Sequence, residues 1–321
     1  MSGTTESTSN RGLVANSRRT RLWSRAFRGL TALAGLVILG IMVVILAALF
    51  VRAMPAIEAF GANFLWTTKW NSGGQFGAAP FIAGTLLSSA MALLLSVPVS
   101  IGIAILLTQY ADGAIREVLV FAVELVAGIP SVIYGLWGLL FFSPIVDTYV
   151  VPAINASPLG ALPIFGEQAY SYNILLASLV LALMVTPIIS SFSRESLVRV
   201  PREQRDAGIA LGLTRWEVIT GVVIPYARAG IISAIILGLG RAIGETMAVT
   251  MLIGNKPVLT FDFFEPGATM SSLLANEFNQ SSNVLHNSAL FEVGLVLFLV
   301  AFVVNSIARL IIQRISHEGS R

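Results

Sequence analysis

Six long apolar runs constrain this chain of 321 residues more than anything else in it. They cover residues 29–51, 81–107, 118–142, 173–192, 229–253 and 289–312. At about 1.5 Å of rise per residue, each as a helix spans roughly the 30 Å hydrocarbon core of a bilayer. Backbone N–H and C=O groups find no water there, so only helices or a closed barrel can satisfy them. The runs are continuously apolar and do not alternate with a period of two, which excludes a barrel. The sequence therefore predicts an all-α, polytopic membrane protein with six transmembrane helices. Composition agrees: 55% apolar residues, 12% charged residues and a mean hydropathy of +0.82 leave too little polar surface for a soluble fold. A cytosolic enzyme and a secreted globular domain are excluded. The absence of cysteine excludes disulfides, thiolate metal sites and cysteine nucleophiles. His286 and His317 lie far apart in sequence, which argues against a histidine-built metal site.

The cations orient the spans. Of twenty, eighteen are Arg and two are Lys. Fifteen fall on one side: in residues 1–28, at Arg116, between the fourth and fifth spans, and at Arg309, Arg314 and Arg321. The opposite side holds Arg52, Lys69 and Lys256, while Arg228 and Arg241 belong to the fifth span. By the positive-inside rule both termini are cytoplasmic. Residues 1–28, rich in Ser, Thr, Asn and Arg, are expected to be a disordered cytoplasmic tail. Residues 29–51 form a retained first membrane helix, too long for a signal-peptide core. Residues 313–321 form a second cytoplasmic tail. The outward loops 52–80, 143–172 and 254–288 read as connectors with short interfacial helices, or as a docking surface for an external partner.

Ionisable groups inside a span cost about 2.5–3.5 kcal/mol each on insertion scales, so they usually face a pathway or a partner. Arg241 and Glu245 lie in the fifth span, in the run GRAIGETMAV. If the helix enters near residue 229, Arg241 is about 18 Å along it, close to the midplane. Glu245 follows by one turn, on the same face. The pair reads either as an internal ion pair that stabilises packing, or as an anion site. In the second reading Arg241 offers a planar, permanently charged donor fork and Glu245 holds or gates it. Gly238, Gly240 and Gly244 allow a helix or a solute to approach the backbone. Glu124, about 9 Å into the third span, is expected to reach the interface, to pair with a neighbouring cation, or to line the pathway. Arg228 and Glu292, at span ends, read as ordinary interface residues. Pro98, Pro130 and Pro187 fall inside the second, third and fourth spans and should kink them.

Between Arg194 and Pro225 the chain turns charged and helical in pattern. Pro201 suits the first turn of a short helix, Arg202 and Asp206 follow, and Ala207, Gly208 and Ala210 give it a small-residue face. Gly212 can end it in a left-handed conformation. Trp216 follows as an interfacial anchor. Such a helix, held off the membrane, has the shape of a plug for another protein's groove. A phosphate-binding loop needs Gly-Lys-Ser/Thr, but Lys69 precedes Trp70 and Lys256 precedes Pro257. No nucleophile–base or metal constellation is evident either. The chain is therefore expected to be a non-enzymatic subunit without a cofactor of its own, and ATP-derived force must come from a separate subunit.

Asp206-Ala207-Gly208, then Gly212, then Val222, Ile224 and Pro225 resemble the EAA–G–I–LP loop of ABC-importer permeases, with Asp for Glu and Gly for Ala in the first triplet. Two further runs, ELVAGIPSVIYGLWGLLFF from Glu124 and GRAIGETMAV from Gly240, are similar to the permeases of the phosphate-specific branch of that family, PstC more than PstA. The resemblance covers residues 81–321, and the extra first helix and polar tail are also usual there. It implies a type I transmembrane domain over residues 81–312 with a coupling loop at 201–225 docked on an ATPase. It implies a PstA-like second permease, two PstB-like ATPase subunits carrying ATP and Mg, and an extracytoplasmic PstS-like phosphate-binding protein. It also implies that Arg241 and Glu245 take part in phosphate passage across the inner membrane. Lipid is the remaining partner, and no nucleic acid is expected. Residue chemistry leaves two rivals open: the same architecture for another oxyanion, and an ion-coupled secondary transporter, which would need repeats and an acidic relay.

Overall fold

A computed structural model describes the backbone of residues 7–71, 74–166, 168–280 and 283–318, with side chains described between Trp23 and Leu310 and at Ile312. Its elements are α1 (Ser7–Phe60), α2 (Ala79–Tyr110), α3 (Gly113–Ala127), α4 (Ser131–Ala156), α5 (Ile174–Val198), α6 (Arg202–Ala210), α7 (Arg215–Gly244), α8 (Met247–Leu252), α9 (Met270–Glu277) and α10 (Val284–Glu318). Beyond two isolated bridges, no strand forms among the described residues. Six helices are long and apolar enough to cross a membrane, as the sequence predicts.

Residues 1–52 form one compact unit and the rest of the chain another. In the first, α1 runs back to Ser7, so residues 7–28 are helical where a disordered tail was expected; residues 1–6 lie outside the described residues. The stretch lacks proline, and extending an existing helix avoids the cost of nucleation. Its apolar side chains, Leu36 to Ile45 among them, are exposed all round, as befits a helix whose surround is lipid.

In the second unit, α5 is the central helix. Leu176, Val180, Val185 and Ile189 are fully buried, packed with α2, α4, α7 and α8. Against it α2 turns a face of buried small residues, and Ser100 Oγ donates to Thr186 O at 3.1 Å. Small side chains let helix backbones approach where the hydrophobic effect supplies no drive. Gly238 of α7 does the same: a Cβ there would fall 2.7 Å from Ile189.

Two predicted spans are broken. The third does not run through residues 118–142: α3 ends at Ala127, and α4 restarts at Ser131 and continues to Ala156. Pro130 therefore caps α4 with extended backbone and does not kink a continuous helix, while the first half of the expected loop 143–172 is still helix. Periodicity hid the break because both halves are apolar. Pro98 and Pro187 do lie inside helices. Further prolines shape the spans by another route: π-turns at Gly138–Phe142, Val146–Val150 and Ile219–Val223 each end two residues before Pro144, Pro152 or Pro225. Proline neither donates to the carbonyl four residues back nor tolerates it, and widening the preceding turn moves that carbonyl aside.

The loops at the α2 N-terminal end pack into a core of their own. Phe64, Phe76 and Phe81 are buried there with Trp70 against them. Trp70 Nε1 donates to Glu277 Oε2 at 2.8 Å, and His286 Nε2 lies 2.8 Å from the same oxygen. The first and third connecting loops are thereby tied together.

Candidate functional site at the α7–α8 break

The fifth predicted span, residues 229–253, is also interrupted. α7 ends at Gly244, Glu245 is extended (φ −67°, ψ 126°), and α8 begins at Met247. Arg241 and Glu245 are consequently not stacked one turn apart on a continuous helix, and among the described residues no ion pair joins them. Each charge answers a helix end instead. Arg241 sits in the last turn of α7, where exposed carbonyls favour a cation. Glu245, only 9% exposed, accepts from Ala248 N at 3.4 Å at the start of α8. The packing ion pair read from the sequence is therefore not formed: Arg241 is exposed, with no carboxylate within 4.0 Å among the described residues.

Arg241 opens into a cleft of about 850 Å³ between α5, α7 and α10. Gly240, Ser233 and Asn305 line it with apolar walls at Ile188, Phe192 and Leu237. Arg309, counted from the sequence among the cytoplasmic cations, lines the same cleft. Sequence reasoning missed Asn305 and Arg309; their spacing of four on an apolar helix was the available signal. The Tyr134 hydroxyl donates to Val126 O at 2.8 Å across the α3–α4 break.

Glu124 lies elsewhere. It is on α3, 3.8 Å from Arg194, and lines a separate cleft of about 450 Å³ with Arg116 and Glu117. Of the expectations for it, pairing with a neighbouring cation is the one observed, and it is not brought to Arg241. With its side chain 60% exposed, the pair contributes little. Glu124→Gln is expected to leave uptake within twofold and stability within about 0.5 kcal/mol of wild type, read by transport and thermal unfolding. Glu292 is not an ordinary interface residue: it is 6% exposed, and its Oε2 has no partner among the described residues.

At the other end of α7, the segment 201–225 folds as a helix–turn–helix. Pro201 precedes the first turn of α6, one residue before the expected position. Gly212 adopts φ +83°, as expected, and Leu213 N bonds Gly208 O while Gly212 N bonds Ile209 O, closing α6. Thr214 and Glu217 form a capping box that starts α7. The small-residue face divides: Gly208 is buried against Val218, whereas Arg202, Asp206, Ala207 and Ala210 are exposed. Leu211 is 82% exposed, Trp216 58% and Ile209 56%; of these apolar side chains sequence reasoning singled out only Trp216, as an interfacial anchor. Pro225, two residues past the π-turn of this segment, is exposed.

Residues 96–317 match the family described as binding-protein-dependent transport system inner membrane component. The chain belongs to this family. The permease is 39% identical over 306 residues to the phosphate transport system permease protein PstC of Mesorhizobium japonicum, covering 94% of the chain and 93% of that relative. It is 40% identical over 300 residues to PstC of Pasteurella multocida, covering 92% and 93%. To PstC 2 of Mycobacterium tuberculosis it is 36% identical over 318 residues, covering 96% and 97%. Among solved structures, a bacterial alginate ABC transporter superposes with TM-score 0.62 at 18% identity, over 92% of the permease and 98% of that chain. The MetNI methionine ABC transporter superposes with TM-score 0.52 at 16% identity, over 74% and 94%. These two likenesses show a fold shared with chains of ABC transporters.

Proposed function

We propose that the permease is one half of an inner-membrane pathway for inorganic phosphate, with Arg241 receiving the anion at the α7–α8 break. The observation that carries this is a permanently charged guanidinium, unopposed by a carboxylate, exposed to an open cleft in mid-span. Broken helices at the midplane are a recurrent way for transporters to present helix ends to an ion. Relatives named as phosphate transport permeases supply the identity of the oxyanion.

A PstA-like permease closes the lumen against the exposed face of Arg241. Two PstB-like ATPases, holding ATP and Mg, receive α6 and the patch of Ile209, Leu211 and Trp216, with Asp206, Ala207 and Gly212 at the contact. Both termini and α6 are cytoplasmic, following the distribution of arginines. A PstS-like protein delivers phosphate to the loops on the opposite side, which the Trp70–Glu277–His286 knot holds together. Closure of the ATPase dimer moves α6 and swings the broken spans, so that Arg241 faces outward and then inward.

Purification from native membranes is expected to bring a second permease and an ATPase with the chain. In vesicles holding that assembly, unlabelled phosphate is expected to displace labelled phosphate uptake, and an equal concentration of sulfate is not. Equal displacement by sulfate would replace phosphate with another oxyanion.

A further inference from the structure

We propose that Arg309, with Asn305, forms a second oxyanion position in the Arg241 cleft, one step closer to the cytoplasm. This rests on the reading of Arg241 as the first position. Asn305 faces Gly240: a Cβ on that glycine would lie 3.5 Å from Asn305 Oδ1. Arg309 follows on the same face of α10, about 6 Å further along it. With both α6 and the carboxyl end of α10 read as cytoplasmic, that step points toward the side of the membrane on which α6 lies. Asn305 Nδ2 donates to Ala301 O at 2.8 Å, which fixes its amide beside the cleft.

Charge decides what the cleft accepts. Two guanidiniums line it, and no Asp or Glu does among the described residues. Neither arginine lies within 4.0 Å of a carboxylate there. Two like charges in one mostly apolar cleft at membrane depth repel each other, and an anion between or beside them offsets that repulsion. Arg cannot relieve this by losing its proton. An oxyanion with several acceptor oxygens suits two donor forks and the hydroxyl of Ser233. Held by two cations in series, the anion can leave the first without passing through an uncompensated apolar zone, the multi-site logic that lets binding be strong and release fast. The oxyanion is phosphate in transit or the phosphate of an anionic lipid headgroup, which presents the same chemistry.

The assembled transporter carrying Arg309→Gln, Arg309→Lys or Arg241→Gln is reconstituted into vesicles of neutral phosphatidylcholine, with and without phosphatidylglycerol, and recovery of all subunits is checked. Arg309→Gln is expected to lower the maximal rate of labelled phosphate uptake about tenfold, the loss of one charge-assisted contact. The half-saturating concentration of loaded binding protein is expected to be unchanged, and Arg309→Lys to restore part of the rate. The same defect in both vesicle types assigns the position to phosphate in transit. A defect confined to vesicles with anionic lipid assigns it to the headgroup. Wild-type uptake by Arg309→Gln in both, beside loss of uptake in Arg241→Gln, would overturn the second position alone. Unchanged uptake in Arg241→Gln would overturn the reading on which it rests.

Discussion

Arg241→Gln is expected to reduce phosphate uptake by about a hundredfold while insertion and subunit assembly stay intact. Hydrogen bonds to a charged group are worth about 1.5–3 kcal/mol, and a fork makes two of them, so a loss near 3 kcal/mol in the occluded state gives this factor. The substitution removes a charge from mid-span and keeps a polar side chain, so insertion is not expected to be hindered. Arg241→Lys keeps the charge and loses the planar pair of donors, and it is expected to fall between the two. Stimulation of ATP hydrolysis by the loaded binding protein should persist in Arg241→Gln, since the variant removes a ligand contact and leaves α6 untouched. Uptake at wild-type rate would place the anion elsewhere in the lumen.

The second large effect is expected at the other end of α7. Replacing Ile209 and Leu211 together by Asp should release the ATPase subunits and abolish uptake, with the permease still in the membrane. Both side chains are largely exposed in the chain alone, Leu211 at 82%. Burying a Leu or Ile in a groove contributes about 1.5–3 kcal/mol, so two lost anchors weaken docking at least a hundredfold. Placing carboxylates in the same pocket adds a desolvation cost. The permease itself is not expected to be destabilised, because neither side chain belongs to its core. Gly208→Ala is the contrasting variant: its new Cβ would meet Val218 Cγ2 at 3.0 Å, shifting α6 slightly on its own support with the contact surface preserved. Retention of the ATPase and of uptake in the Asp variant would move coupling away from α6.

The fold class was legible from the apolar runs alone, since bilayer thickness and backbone satisfaction leave one solution for spans of that length. The end of α6 was legible too, because Gly212 carries its own chemistry and takes φ +83°. The breaks at residues 128–130 and 245–246 were not. Hydropathy reports the surround and is indifferent to whether the backbone inside it is continuous. Gly128-Ile129-Pro130 contained the signal, as Pro disfavours helix for the residue before it. At Glu245 no residue type forces the break; the carboxylate stabilises it by capping α8, which only tertiary structure reveals. For the same reason Arg241 and Glu245 were found as residues and misjudged as a pair, and Arg309 was placed outside the membrane site that it lines.

The bond from Arg205 Nη2 to Leu197 O, 2.8 Å long, joins α6 to the last turn of α5. From Leu197 back to Ile189 is about 12 Å of helix, and no proline interrupts it. Ile189 is the side chain wedged against Gly238, three residues before Arg241. In the proposed mechanism α5 would act as a push-rod: its foot is bonded to α6, the element proposed to meet the motor, and its shoulder bears on α7, the helix proposed to hold the anion's first contact. Slack at any of these joints would be lost stroke, and at Gly238 the fit is close enough that a Cβ would fall 2.7 Å from Ile189.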